Sequence, residues 1–335
     1  MIIAIDVMGG DNAPDSVLKG VGKALNETKS KLLLVGNEEI IKKDISKYCN
    51  KLDRIDIRHT SETIDNDDKP VQAVRRKKDS SMVVALEMLR KKEVSAVISA
   101  GNTGALLTGS LLKVGRIKGI DRPALAPIYP TKRGFSLLID AGANVDCKPR
   151  NLLEFAIMGS IYLENVLNVN KPKVGIVNIG TEEGKGNKLV SEAYEILKES
   201  NLNFVGNIEA RDIPSGIVDV IVCDGFVGNV ILKLTEGVAM GISTMLKEQL
   251  VKNFVRKIAA LTLKNGLKDF KSKLDYTEYG GAPLLGVKGA VIKAHGSSDA
   301  KAIKNAIKYG EVFARNNVIE SIEKEIVRIG ADSIE

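Results

Sequence analysis

The chain has 335 residues, 44% hydrophobic and 27% charged, with nine prolines and no low-complexity tract, which excludes a disordered or fibrous chain and leaves a large globular fold. Its formal net charge of +7 favours acidic partners, but aromatic residues make up only 4% and Trp is absent, too little for the stacking platforms of single-stranded nucleic-acid binding, so no nucleic-acid partner is expected. The three cysteines, Cys49, Cys147 and Cys223, are odd in number and far apart, which argues against a disulfide framework or a paired metal motif and fits a reducing cytoplasm.

In chain order, Met1-Ile2-Ile3-Ala4-Ile5 runs into Asp6 with neither a basic start nor a small-residue cleavage site, so no secretory leader is expected. No apolar run approaches the ~18 residues of a membrane span. Short apolar runs predict strands at Ile2 to Val7, Lys31 to Val35, Ile55 to His59, Ala96 to Ser99, Ala124 to Tyr129, Phe135 to Ile139, Val174 to Ile179, Val218 to Cys223 and Val291 to Ala294. Helical periodicity fills Ser16 to Asn26, Ser80 to Lys92, Leu152 to Val169, Leu189 to Ser200 and Val230 to Met240. Alternating strands and helices imply an α/β class with an open, doubly wound, mostly parallel sheet and helices on both faces. One α/β domain over 1–335 is expected. The cluster Arg75-Arg76-Lys77-Lys78 reads first as a solvated helix start, with docking of an acidic carrier as the functional alternative.

Ligands in such folds bind beyond the carboxyl ends of the strands, and here nearly every strand end carries a small, polar, glycine-bearing loop. These are Asp6 to Pro14 with Gly9, Gly10 and Asp11; Ser99 to Gly104 with Asn102 and Thr103; Asp140 to Asp146 with Asn144; Gly180 to Asn187 around Lys185; Cys223 to Asn229 with Asp224; and His295 to Ser298. Each alone is ordinary turn chemistry. Six rich in Asn, Asp, Thr and Ser imply one crevice for a polar ligand. In Gly184-Lys185-Gly186 a lysine between glycines follows a strand and precedes a helix, where a backbone loop can wrap an anion. A nucleotide P-loop needs four residues between its first glycine and Gly-Lys, then Ser or Thr. Here three intervene between Gly180 and Gly184, and Gly186 follows, so a kinase or ATPase site loses its main support and a solvated, flexible turn stays open as the alternative to an anion cradle.

Absences narrow the chemistry further. Two histidines, His59 and His295, preclude a three-histidine metal centre from this chain alone. No Gly-x-Ser-x-Gly elbow is present, and no Gly-x-Gly-x-x-Gly follows the first strand. Cys223 with His295 as base is the remaining nucleophile pair, although a strand-end cysteine is more often a small buried hydrophobe.

Together, Ile5-Asp6 through Met8-Gly9-Gly10-Asp11 with Ala13-Pro14, Ser99 to Ala105, Arg122 to Ala126, Asp140 with Gly142 to Pro149, Asn178 to Asn187, Cys223 to Asn229 and Tyr279 to Gly286 resemble the bacterial phosphate acyltransferase family of phospholipid synthesis. The resemblance runs from Ile2 to about Val312, with Asn12 where histidine is common and Val7 where alanine is usual. It implies transfer of a long-chain fatty acyl group from acyl carrier protein to inorganic phosphate, giving an acyl-phosphate for a downstream glycerol-3-phosphate acyltransferase. It also implies a fold like phosphotransacetylase and isocitrate or isopropylmalate dehydrogenase, a homodimer, and a cytoplasmic protein peripherally associated with the inner face of the membrane. A thioester is already activated and phosphate is itself a nucleophile, so neither a protein nucleophile nor a metal or cofactor is called for. What the site must supply is positioning and oxyanion stabilisation. Lys185 is assigned to phosphate or carbonyl and Asn229 to the oxyanion, with support from the resemblance. Asn102, Thr103, Asn144, Asp146, Asn187, His295, Ser297 and Ser298 are expected to bind substrate, the last two with helix capping as an equal alternative. Asp6, Gly9, Gly10, Asp11 and Asp224 are expected to organise the loops, Asp6 and Asp11 with orientation of Lys185 as an alternative.

Between Leu246 and Leu263, Leu250, Phe254, Ile258 and Leu261 share one apolar face beside Lys252, Lys257 and Arg256, and Leu267 to Leu274 continues basic and amphipathic. A helical hairpin over 241–275, inserted in the α/β domain, is therefore expected to pack a dimer or rest on anionic lipid. Two competing readings remain: a phosphotransacetylase-like enzyme using acyl-coenzyme A, and a non-catalytic membrane-docked scaffold. A decarboxylating dehydrogenase is weakest, for want of a cofactor site.

Overall fold

The computed structural model describes residues 1–49, 52–263, 266 and 280–332, and for 257–259 and 329–332 the backbone alone. A seven-stranded sheet contains β1 (Ile2–Asp6), β2 (Lys31–Gly36), β3 (Ile55–His59), β4 (Ala96–Ser99), β5 (Ala124–Leu125), β11 (Ala282–Leu285) and β12 (Ala290–Lys293), in the order β3-β2-β1-β4-β12-β11-β5. Its pairs are parallel except the two made by β11. A five-stranded sheet, ordered β6-β7-β10-β8-β9, contains β6 (Ile128–Thr131), β7 (Gly134–Ile139), β8 (Lys173–Asn178), β9 (Asn203–Glu209) and β10 (Val220–Val222). There only β6 and β7 run antiparallel. The connecting helices are α1 (Asp15–Ala24), α2 (Glu38–Ile45), α3 (Pro70–Arg76), α4 (Ser81–Arg90), α5 (Thr103–Gly109), α6 (Pro149–Leu167), α7 (Lys188–Glu199), α8 (Gly225–Val251), α9 (Phe254–Thr262), α10 (Ala300–Arg315) and α11 (Val318–Asp332).

The α/β class and the mostly parallel pairing agree with the alternation, but one open sheet has become two. The division falls within the strand predicted at Ala124 to Tyr129. Proline has no N–H for a ladder, and at Ala126-Pro127 the chain changes sheets: Ala126 donates to Pro283 O at 3.0 Å on one side, while Leu138 donates to Pro127 O at 3.0 Å on the other. β9 and β11 were not predicted, because Gly206 interrupts the first at φ +100° and Ala282-Pro283 opens the second with residues that read as loop.

One buried cluster runs from Ile3 and Ile5 of the first sheet through Ile120 and Met158 to Leu137 and Val222 of the second. Helix α6 supplies its centre, with Leu152, Phe155, Met158 and Leu163 at 0% exposure. Each such side chain contributes roughly 1.5–3 kcal/mol on burial.

Helix α8 is a single continuous helix, and the hairpin expected from residue 241 begins within it. Gly225 and Gly228 are buried at its start, whereas Leu234, Met240 and Met245 are 64, 71 and 59% exposed. By length and composition it would suffice to cross a membrane, although no such run was expected: small and apolar residues dilute Lys233, Glu236, Lys247 and Glu248 over 27 residues. Leu250, near the end of α8, is half-buried, and the chain turns at Lys252-Asn253 into α9, where Phe254 and Leu261 are 78 and 66% exposed. The side chain of Ile258 and the segment Leu267 to Leu274 lie outside the described residues.

Candidate functional site

The carboxyl ends of both sheets bring their loops together in two seams. On the first sheet Asp11 N donates to Gly296 O at 2.8 Å, joining the loops after β1 and β12. Gly10 permits this at φ +113°, where a side chain is disfavoured. The Asp11 carboxylate accepts from Asn66 Nδ2 at 2.8 Å, and Asn102 Nδ2 donates to Asn66 O at 2.9 Å, so the loop after β4 is bound in as well. The second seam is built around Asp140, whose fully buried carboxylate accepts from Leu125 N (2.9 Å), Ala143 N (3.1 Å), Asn144 N (2.7 Å) and Asn144 Nδ2 (2.9 Å). Gly225 N donates to Asn144 O at 2.7 Å, and any Cβ at Gly228 would lie 1.9 Å from Asp140 O. The start of α8 is thereby pressed onto the loop after β7, and Asn229 stands against Gly142.

Between the seams lies a cavity of about 370 Å³ walled by Thr103, Gly142, Asn229, Lys233, Glu236, Lys293, His295 and Ser298, with Leu125, Pro127 and Ile128 as apolar lining. Lys233 forms an ion pair with Glu236 at 3.1 Å and reaches His295 Nε2 at 3.4 Å. Burial and the Lys233 charge hold the His295 ring below its usual pKa, which favours the neutral imidazole, and its Nδ1 meets Ser297 Oγ at 2.8 Å. Lys293, at the end of β12, is 8% exposed and donates to the carbonyls of Ala100 (3.3 Å) and Ala294. Burial pulls its pKa down to about 8, against the opposing pull of Asp11 and Asp6. Neither Lys233 nor Lys293 stood out in the sequence, since the first reads as a solvated residue within a helical pattern and the second as the charged end of an apolar strand.

Of the residues singled out in the sequence, Asn229, Thr103, His295 and Ser298 wall this cavity. Ser298 Oγ is buried and has no hydrogen-bond partner, and the α10 cap is Asp299, not a serine. Asp6 is buried and accepts from Ser81 Oγ and Ser99 Oγ, both at 2.6 Å, with burial raising its pKa. Gly9 packs so close that a Cβ there would be 2.5 Å from the Asp6 carboxylate. Asp6 and Asp11 are thus tied to neighbouring elements by these bonds, and both carboxylates act on the charge of Lys293. Asp224 caps α8 through Val227 N at 2.9 Å. Asn102 caps α5, while Asn144 is consumed by Asp140 and Pro123 O and faces a second cavity with Ala143. Asp146 is exposed.

Lys185 is exposed on the loop after β8 and is not among the residues walling the cavity. Because β7, β10 and β8 are parallel neighbours, that loop leaves the same sheet edge as those of Asp140 and Asn229. It is fastened by Asn178 Nδ2 to Lys185 O at 2.9 Å and by Asn207 Nδ2 to Glu182 O at 2.8 Å, and Asn187 caps α7. Cys223 is buried with its thiol pKa raised by burial, as suits packing and not nucleophilic attack. Arg75 and Arg76 end α3 instead of opening a helix, and Lys77 is paired with Asp68 at 2.6 Å.

Two mixed sheets with a cationic cleft at their carboxyl ends define an α/β protein with the fold of the phosphotransacetylases. A phosphotransacetylase from Streptococcus pyogenes matches with TM-score 0.62 over 94% of both chains at 16% identity. A 4-hydroxythreonine-4-phosphate dehydrogenase from Klebsiella pneumoniae matches with TM-score 0.51 at 12% identity, over 94% of this chain and 99% of that one. The family model described as fatty acid synthesis protein matches residues 1–321, and the chain belongs to that family. It is 59% identical over 335 residues to a phosphate acyltransferase of Alkaliphilus oremlandii, covering 100% of both, and 52% identical to one of Clostridioides difficile, covering 99% of this chain and 98% of that one. It is an acyltransferase.

Proposed function

We propose that this acyltransferase moves a long-chain fatty acyl group from acyl carrier protein to inorganic phosphate, and that the acyl-phosphate feeds a glycerol-3-phosphate acyltransferase. The observation that carries the reading is the cleft between the sheets, where two lysines and neutral donors face apolar lining. That setting suits an anionic nucleophile beside an acyl thioester. A phosphate oxygen attacks the thioester carbon and forms the C–O bond. The carbonyl oxygen becomes an oxyanion, to which Asn229 of the cleft wall donates a hydrogen bond. Collapse breaks the C–S bond, and the proton of hydrogen phosphate passes to the departing thiolate. Lys185 belongs to the same reading, on phosphate or on the carbonyl.

The chain is read as one α/β domain related to the isocitrate and isopropylmalate dehydrogenase folds, forming a cytoplasmic homodimer peripherally attached to the membrane. The exposed apolar residues of α8 and α9 support a dimer or lipid contact. The phosphotransacetylase fold favours coenzyme A as an alternative donor. Phosphate-dependent release of carrier thiol from a long-chain acyl carrier protein tests the function, with acetyl-coenzyme A as competitor. Preference for acetyl-coenzyme A, or release independent of phosphate, would overturn it. Lys185→Ala and Asn229→Ala are each expected to lose ~100-fold or more in turnover with normal folding.

A further inference from the structure

We infer that Lys293, with the hydroxyl of Ser298, is the orthophosphate-binding pair on the wall of the acyl-transfer cleft. The inference rests on the reading of that cleft as a site of transfer to phosphate, and it adds residues that the reading does not assign.

Lysine is almost never buried unless a counter-charge accompanies it. Lys293 is 8% exposed and its hydrogen-bond partners, Ala100 O and Ala294 O, are neutral. The two acids whose charge acts on it, Asp6 and Asp11, take their hydrogen bonds from Ser81, Ser99 and Asn66, and neither forms an ion pair with the ammonium. An ammonium has three N–H donors, and two carbonyls leave one. A second and independent observation lies in the same wall, where Ser298 Oγ is buried with no partner. Buried hydroxyls are nearly always satisfied, and an orphan that walls a cavity calls for a ligand inside it. A buried ammonium with a spare N–H and no ion pair in contact, beside an orphaned hydroxyl, matches an oxyanion with several acceptor oxygens. Lys233 and His295 add donors to the same wall.

The charged and titratable groups facing Lys293 are Asp6 and Asp11 from β1 and its loop, Lys233 and Glu236 from α8, and His295 from the loop after β12. Because its pKa is held down to about 8, the cationic form is full below that pH and fades above it. Orthophosphate binding should weaken in step.

The test is calorimetric titration of the full chain with orthophosphate in the absence of acyl donor, repeated for Lys293→Met, Lys293→Arg and Ser298→Ala, each checked by thermal melting. Lys293→Met should weaken binding at least ~10-fold and Ser298→Ala several-fold. Lys293→Arg should retain binding and remove its decline above pH 8. Unchanged affinity in Lys293→Met overturns the inference, as does a wild type that binds no orthophosphate. Displacement of orthophosphate by 4′-phosphopantetheine also overturns it, by giving the subsite to the donor's own phosphate. Should phosphate bind as described while no acyl transfer occurs, the proposed function fails and the anion site stands.

Discussion

Asp140→Asn isolates one link between sequence and site, because the amide has nearly the shape of the carboxylate and changes only its charge and donor pattern. Both carboxylate oxygens face N–H groups: Oδ1 accepts from Leu125 and Ala143, and Oδ2 from Ala143, Asn144 N and Asn144 Nδ2. An amide nitrogen in either place meets a donor. The milder orientation puts it at Oδ1, since Ala143 can keep Oδ2, and it orphans Leu125 N. One buried orphan costs about 1–3 kcal/mol, and the surviving bonds lose the strength that a charged acceptor adds. Relief from burying a charge, which raises the Asp140 pKa, returns part of that loss. A net destabilisation of about 2–4 kcal/mol is expected in urea unfolding at neutral pH with an unchanged m-value. A loss below about 1 kcal/mol would refute the claim that this carboxylate is the fastener of the second seam.

Native protein at pH 8 should resist iodoacetamide at Cys147, pushed up to about 12 by burial and nearby acids, and at Cys223, also raised by burial, while all three cysteines react in urea. Loss of transfer through one rapid adduct at Cys223 would restore a cysteine nucleophile. Glu27 is held down to about 2 by hydrogen bonds from Lys308 and Lys304 on α10. A depressed carboxylate adds stability above its unfolded pKa and loses it as pH falls from about 4.5 towards 2, so Glu27→Gln should shrink the acid limb of the unfolding curve, and coincident limbs would reject the linkage. Phe254→Glu should abolish flotation with anionic vesicles while the oligomeric state is unchanged if α9 meets lipid; retained flotation would assign that face elsewhere.

The polar loops were legible because their backbone demands show in residue type: Gly10 and Gly142 have φ of +113° and +122°, and Asn102, Asn187 and Asp224 cap helices through their own side chains. The second sheet was not legible, because Ala124 to Tyr129 carries a continuous apolar run across Pro127, and only pairing with β11 on one side and β7 on the other divides it. The same asymmetry separates the two lysines. Gly184-Lys185-Gly186 is conspicuous, and part of its glycine content answers to the backbone alone: φ is +80° and +97°, and a Cβ on Gly186 would lie 2.3 Å from Asn178 Oδ1. Lys293 is inconspicuous at the end of Ala290-Val291-Ile292, where a lysine ordinarily snorkels to water. The parallel register of Lys293 with Ser99 sets it instead beside Ala100 in the loop after β4, within reach of the Asp6 and Asp11 charges. A motif of glycines therefore reports where the chain must bend, whereas a buried charge reports where a ligand must balance it.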